Sequence, residues 1–446
     1  MPLLRPQHAV PHGFCFPSTG CGASSRTCIP PLEHGGGVGL YVHIPFCTAK
    51  CDYCDFFSIP RASIDDSFVD AIIAEAGWYK SRLGISAWRT VYVGGGTPSL
   101  LLPGQLERLL RELCGRSAPC EVTVELNPEG VGADLLSACA EGGATRLSLG
   151  IQSLDEDTLS SVHRRCTASR ARDALSLLRG RWNGAVNLDC IAGLPGQSRD
   201  TFMRSLGEML SFGPEHLSLY TLSVEEGTPL AARLSAGERW DPDEADSQWL
   251  LGRDAVVASG LEQYEVSNFA RPGFESMHNR AYWEQLDYVG VGPGACGTLY
   301  VFDGGQGLRW SNTADITHWC SFWNGGMREA LSPFHDAGTS RAACCDPPGL
   351  GAVRSTERLS LSVEEFEYLM LGLRTTCGIC ESEYRRRFSA LSPWHGNLAD
   401  RLGADKGPWS RFCDEGRATT VSSFGGRRFS LTASGLLVLN TLLRQL

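Results

Sequence analysis

No stretch of the chain approaches the ~20 consecutive apolar residues needed to span a bilayer. The first residues lack a basic start followed by an apolar core, so no secretory leader is expected. Positive charge is short as well. The chain has 40 Lys and Arg against 50 Asp and Glu, a formal net charge of −10. A protein of that sign binds nucleic acid and anionic membranes poorly without a local basic patch. No nucleic-acid partner and at most peripheral membrane contact are expected, with a cytoplasmic location. Otherwise the composition is ordinary for a globular protein, with 42% hydrophobic and 20% charged residues. A length of 446 residues suffices for roughly two or three domains. Cysteine is not lacking, at 18 residues. In so long a chain without a leader these read as reduced thiols rather than a disulfide framework.

Residues 1–37, with Cys15, Cys21 and Cys28, show no helical or strand period and are expected to be a disordered tail. From residue 38 short β-rich runs alternate with amphipathic helical patterns. The strand candidates are 39–46, 89–96, 121–128, 146–153, 185–193 and 216–224. Helical patterns fill 65–83, 103–115, 133–142, 155–163, 168–179, 199–212 and 243–259. The helix at 103–115 is opened by Pro103 and closed by Gly115. Such βα units in series imply a parallel sheet with right-handed crossovers. The strands read as nearly continuous apolar runs, as in sheets covered on both faces. The expected fold is α/β, a partial (β/α)6 TIM-like barrel over 38–305, with a doubly wound sheet as the alternative. Residues 306–358, rich in Gly, Ser and Pro and holding Cys344 and Cys345, read as a linker or insertion. Residues 359–446 read as a small winged-helix-like α+β domain: a helix at 362–376, a hairpin at 418–432 around Gly425-Gly426, and a closing helix at 433–446.

One local absence carries chemistry. Cys47, Cys51 and Cys54 fall within eight residues, and no fourth cysteine follows. Three soft ligands on one short loop suit an iron–sulfur cluster, and three ligands for four irons leave one iron open. A structural zinc site would need a fourth ligand, for which His43 lies upstream on a strand. Zinc and three unrelated buried thiols are the competing readings. Gly94-Gly95-Gly96-Thr97-Pro98 ends the second strand, where glycines let the backbone approach a ligand closely. Glu125, Asn127, Gln152 and Asp189 sit in or at the ends of the next strands. In a parallel barrel those ends form the active face.

The triplet, followed by "GGGTPSLL", "VELNPE", "RLSLGIQS", "VNLDCIAGLPGQ", "LSLYTLSVEEGTPL" and "HNRAYW" in that order, resembles the radical S-adenosylmethionine (SAM) enzymes. Within them it is similar to the branch of the oxygen-independent coproporphyrinogen III oxidase. The matching motifs cover roughly residues 39–300. The resemblance implies a 4Fe–4S cluster on Cys47, Cys51 and Cys54, with SAM chelated at the open iron. An electron from the reduced cluster, supplied by a donor such as a flavodoxin or ferredoxin, would cleave SAM to methionine and a 5′-deoxyadenosyl radical. It also assigns Tyr41, Gly95, Gly96, Thr97, Glu125, Gln152, Arg164 and Asp189 to the SAM site. Without it, Arg164 reads as a helix-end arginine in solvent and Asp189 as a strand-end hydrogen-bond acceptor.

Two members of the branch compete. The oxidase carries a further cysteine two positions after the third ligand, where this chain has Phe56. The haem chaperones have phenylalanine there, and they share an HNxxYW motif that matches His278–Trp283. The resemblance therefore implies a haem chaperone that delivers haem to haem-accepting proteins, with the oxidase as the alternative and a scaffold that never turns over SAM as a third class. Whether the protein is an enzyme stays open at this point. His278 is a candidate axial ligand of the haem iron, with Tyr282 and Trp283 as flat faces for the macrocycle. A structural histidine beside an aromatic core is the other reading. The chain departs from the family pattern at two places, with Cys166 and Cys296 where relatives carry histidine.

Overall fold

The computed structural model describes residues 37–115, 118–300, 307–326, 350–389, 397–423 and 426–446. The expected tail up to residue 36, and Cys344 with Cys345, lie outside the described residues. Six parallel strands form the centre: β1 (Gly39–Ile44), β2 (Thr90–Gly95), β3 (Glu121–Leu126), β4 (Arg146–Gln152), β5 (Ala185–Ala192) and β6 (His216–Thr221), hydrogen-bonded in that order. The intervening helices include α1 (Asp66–Arg82), α2 (Pro103–Cys114), α3 (Ala133–Glu141), α4 (Glu156–Ser161), α5 (Ala168–Arg181) and α6 (Arg199–Ser211). Local chemistry sets their starts. The Asp155 carboxylate accepts from the Thr158 amide, the Thr167 hydroxyl from Arg170, and the Ser198 hydroxyl from Thr201, each closing an otherwise unpaired helix N-terminus.

The strands are not uniformly apolar, and this corrects the expectation. Each alternates. Leu40, Val42, Val91, Val93, Leu147, Leu149, Leu217 and Leu219 are fully buried in the core shared with the helices. Their neighbours Tyr41, Tyr92, Thr123, Arg146, Ser148, Asn187 and His216 are also buried, but polar, and they face the inside of the curved sheet. Side chains along a strand point to opposite faces with a period of two. One face therefore packs on helices and the other lines a polar lumen.

The sheet also runs further than expected. Helices α7 (Pro229–Ser235) and α8 (Pro242–Ala258) follow β6. The short strands Glu262–Gln263 and Asn268–Ala270 then extend that edge antiparallel. After α9 (Met277–Trp283), the strand Tyr288–Val291 joins β1 in parallel. Three antiparallel strands continue outward, Cys296–Leu299, Gly307–Asn312 and Arg354–Leu359. The last two fall within the stretch expected to be a linker. Trp310 on one of them is buried against Tyr79 of α1, with ring centroids 5.1 Å apart, and this packing recruits the segment to the sheet.

The C-terminal part has its own core, including Tyr368, Leu369, Phe388, Trp409, Phe429 and Leu442. Its helices surround a three-stranded sheet of Ile379–Cys380, Gly426–Leu431 and Ala418–Ser423. Gly425 lies outside the described residues. The expected closing helix is divided into Ala433–Leu436 and Leu439–Leu443. Arg309 pairs with Glu367 at 2.7 Å, and Gln285 Nε2 donates to the Glu364 carbonyl at 2.7 Å, tying this core to the sheet. Among the described residues no helix is long and apolar enough to cross a membrane.

Candidate functional site

The loop after β1 carries Cys47, Cys51 and Cys54, all partly exposed. Two of the thiols meet polar donors, one from the turn after β2 and one from the loop after α4. The Thr97 hydroxyl donates to Cys47 Sγ at 3.4 Å, and Arg164 Nη1 to Cys51 Sγ at 3.6 Å. Burial pushes the Cys54 thiol up to about 11, and the nearby Cys51 and Cys47 add to the rise. Among the described residues no three Cys, His, Asp or Glu side chains are closed around a single metal position. The three thiols therefore share one loop and one electrostatic neighbourhood without being drawn to a point.

Behind the loop the strand ends converge. Asn127 Nδ2 donates to Thr97 Oγ1 at 2.9 Å, and Arg164 Nη2 reaches Asn127 Oδ1 at 3.3 Å. Arg164 also donates to the Gly150 carbonyl. A Cβ at Gly150 would meet Gln152 Nε2 at 3.0 Å and Arg164 Nη2 at 3.1 Å, so these side chains crowd one spot. Gln152 ends β4 with φ 66°, a left-handed backbone rare for a side-chain-bearing residue.

Deeper in the lumen, Glu125 accepts from Tyr92 OH at 2.6 Å and from the Gly95 amide at 3.0 Å. Burial pushes its carboxyl up to about 7, the Tyr92 bond opposes this, and the Asp189 charge adds to it. Asp189 is raised to about 6, again chiefly by burial, and accepts from Asn187 Nδ2 at 2.7 Å. Two buried carboxyls of this kind on one wall are a usual mark of a functional cleft. Tyr41 OH lies 2.8 Å from His43 Nδ1, and His43 Nε2 lies 2.9 Å from the Phe57 carbonyl. Because a carbonyl only accepts, Nε2 carries the ring proton and Nδ1 accepts from Tyr41. Burial lowers His43 to about 4, which keeps the ring neutral.

The glycine turn fits a close approach. Gly95 has φ +111°, and a Cβ there would lie 2.5 Å from the His43 ring. At Gly96 a Cβ would lie 2.5 Å from the Phe46 carbonyl. The residues present suit a cluster and SAM on three counts. There are three thiols without a fourth, a backbone cradle that only glycine can form, and two buried polar atoms, Gln152 Oε1 and Arg164 Nε, with no protein partner.

The structure thus brings Tyr41, Gly95, Gly96, Thr97, Glu125, Gln152, Arg164 and Asp189 to the same side of the sheet as the cysteine loop. It places His278 on the same inner face but at the opposite ends of the strands. His278 is fully buried on α9, with Nδ1 3.0 Å from Thr90 Oγ1 and Nε2 3.3 Å from Tyr282 OH. Thr90 begins β2, at the end of the sheet away from the cysteines. Both ring nitrogens are engaged and Tyr282 is itself buried, whereas Trp283 is only partly buried. The axial-ligand role of His278 stays an expectation that haem titration into His278→Ala tests. Cys166 is buried, whereas Cys296 is exposed with Sγ 3.1 Å from Ser311 Oγ. Residues not assigned from sequence include Tyr92, His43 and Asn187. The period-two alternation of the buried strands was the signal that could have found them.

The model of the Radical SAM superfamily matches residues 41–209. The mouse protein named "Radical S-adenosyl methionine domain-containing protein 1, mitochondrial" is 34% identical over 375 residues, covering 82% of this chain and 78% of that one. The Escherichia coli K12 protein named "Heme chaperone HemW" is 34% identical over 297 residues, covering 64% and 74%. Its namesake from Mycobacterium tuberculosis H37Rv is 37% identical over 287 residues, covering 62% and 72%. Among solved structures, the Escherichia coli coproporphyrinogen III oxidase HemN shares the fold at a TM-score of 0.69 and 20% identity, over 92% of this chain and 89% of that one. The cysteine loop, the glycine turn and these relatives place the chain in one family: it belongs to the radical SAM superfamily, in the group that includes the HemW proteins.

Proposed function

We propose that the protein is a haem chaperone that holds a 4Fe–4S cluster on Cys47, Cys51 and Cys54, binds SAM on the strand ends behind them, and passes haem to haem-accepting proteins. The observation that carries this reading is the 34–37% identity to proteins named "Heme chaperone HemW". Phe56, standing where the oxidase has another cysteine, points the same way. The likeness to HemN is one of fold.

When bound, the cluster and SAM supply one-electron reductive chemistry. The chain's own residues prepare the place. Three thiolates are the ligands, and the hydroxyl of Thr97 and the guanidinium of Arg164 lend positive edges to two of them. The turn at Gly95 and Gly96 lets backbone lie against SAM. Glu125 and Asp189 are acceptors for an ammonium or ribose hydroxyls, and Gln152, Arg164 and Tyr41 complete the wall. A soluble one-electron donor such as a flavodoxin or ferredoxin is the further partner. A reducing compartment suits the thiols: the cytoplasm by sequence, while the mouse relative's name carries "mitochondrial".

The test is anaerobic reconstitution followed by two parallel assays. Haem transfer to an apo-haem protein without formation of protoporphyrinogen is the expected result. Protoporphyrinogen formed with SAM and reductant, and no haem transfer, would replace this reading with the oxidase.

A further inference from the structure

The segment leading into the HNxxYW motif crosses the ends of the strands opposite the cysteines. The Arg271 amide donates to the Glu215 carbonyl just before β6, and Arg146 at the start of β4 donates through both terminal nitrogens to the Phe274 carbonyl. Glu121 at the start of β3 then caps α9, accepting from Ser276 Oγ, the Met277 amide and the His278 amide at 2.9–3.1 Å. The motif therefore closes the floor of the lumen.

From that floor His278 points up the inner wall. Its ring stacks on Tyr92 with centroids 4.8 Å apart and planes at 27°. It meets Tyr41 at 6.4 Å and Tyr282, edge-on, at 5.4 Å. Thr90, one inward position below Tyr92 on β2, fixes the imidazole at 3.0 Å. Tyr92 in turn donates to Glu125 at 2.6 Å. The next residue of the motif, Asn279, lines with Tyr92, Thr123 and Asn187 a polar cavity of about 10 Å³, room for about one water. Aromatic rings stacked at interior density transmit position, because turning one ring displaces the ring packed on its face.

We propose that His278 is a positioning residue of the SAM site: it sets the ring of Tyr92, which holds the Glu125 carboxylate toward the ligand. The proposal rests on the reading that Glu125 contacts SAM. It gives the HNxxYW motif a place beneath SAM.

The experiment measures the SAM dissociation constant of the anaerobically reconstituted full chain by calorimetry from pH 6 to 9. The variants are Tyr92→Phe, His278→Gln and Glu125→Ala, and iron content, melting temperature and haem affinity are recorded alongside. A hydrogen bond to a charged group lost without loss of shape is expected to weaken SAM binding about tenfold in Tyr92→Phe. The pH dependence should move as well. Glu125 is faced by Tyr92 from β2, Asp189 from β5, Tyr220 from β6 and Tyr41 from β1. The Tyr92 bond lowers the Glu125 pKa. Its removal raises that pKa, so SAM affinity in the variant fails at a higher pH than in the native chain. His278→Gln should move both quantities in the same direction by a smaller factor, about threefold, with iron content unchanged. Should His278→Gln fail to fold, Thr90→Val, which removes the hydroxyl that fixes the imidazole, takes its place and should move both quantities in the same direction.

Weak binding in Glu125→Ala together with native affinity and pH profile in Tyr92→Phe overturns the proposal. Loss of haem but not of SAM affinity in His278→Gln overturns it too and returns the residue to the cargo. Native SAM affinity in Glu125→Ala refutes the underlying reading of the site instead.

Discussion

Replacing Arg233 by methionine should loosen the cysteine loop without touching a cysteine. Asp52 stands between Cys51 and Cys54, and its Oδ2 takes Arg233 Nη1 at 2.5 Å and His163 Nδ1 at 2.7 Å. Its backbone is held as well, the amide on the Val162 carbonyl at 3.1 Å and the carbonyl by the Leu230 amide at 2.9 Å. Arg233 also donates to the Ser161 carbonyl at 2.8 Å. The loop is thus bolted to the end of α4 and to α7. The Asp52 and Arg233 side chains are only 10% and 29% exposed. Two charges about 4 Å apart at an effective dielectric of about 20 attract by about 4 kcal/mol. Desolvation and the immobilised side chains offset much of that, leaving about 1–2 kcal/mol. If this difference falls on the open state of the loop, cluster loss in air should run about 5–30 times faster. The assay follows absorbance at about 400 nm, where thiolate-bound clusters absorb. Arg199→Met is the control, since its pair with Glu244 lies on α6 and α8 with side chains 55% and 35% exposed and such a pair contributes about 0–1 kcal/mol. Equal rates for both variants and the native chain would refute the clamp.

Two further outcomes follow from the same contacts. Gly95→Ala combines a positive φ with a Cβ 2.5 Å from the His43 ring; it should cost more than about 1 kcal/mol in a denaturant melt and abolish SAM binding in calorimetry, and a native melt would contradict the cradle. Glu75 is buried, accepts from the Gly292 amide, Asn312 Nδ2 and Trp319 Nε1, and is pushed up to about 8 by burial. A carboxyl raised on folding stabilises most below its unfolded pKa and loses that contribution as pH rises through the folded value. The melting temperature should therefore fall between pH 5 and pH 8.5, and less so in Glu75→Gln; a rise over that range would count against it.

The sequence showed the barrel because every central strand presents Val, Leu or Ile to the helices, and because boundary residues such as Pro103 and Gly115 mark a helix between them. It hid the polar lumen for a related reason. Tyr92, Asn187 and His216 sit between those apolar residues, and a strand read as a hydrophobic run loses its inner face. The strands Gly307–Asn312 and Arg354–Leu359 were hidden because their pairing depends on Trp310 meeting Tyr79 far away in sequence. The cysteine loop and the glycine turn were legible as local spacings. The place of His278 was not, because which end of a barrel a seven-residue helix covers is decided by Glu121 and Thr90, more than 150 residues earlier in the chain.

The central claim is that three cysteines hold a cluster whose open iron takes SAM. Electron paramagnetic resonance of the reduced, reconstituted protein with and without SAM tests it most directly. The account predicts about four irons per chain and a signal that changes on SAM addition, both lost when Cys47, Cys51 and Cys54 are replaced by alanine. A signal indifferent to SAM, or a cluster that survives the triple replacement, would contradict it.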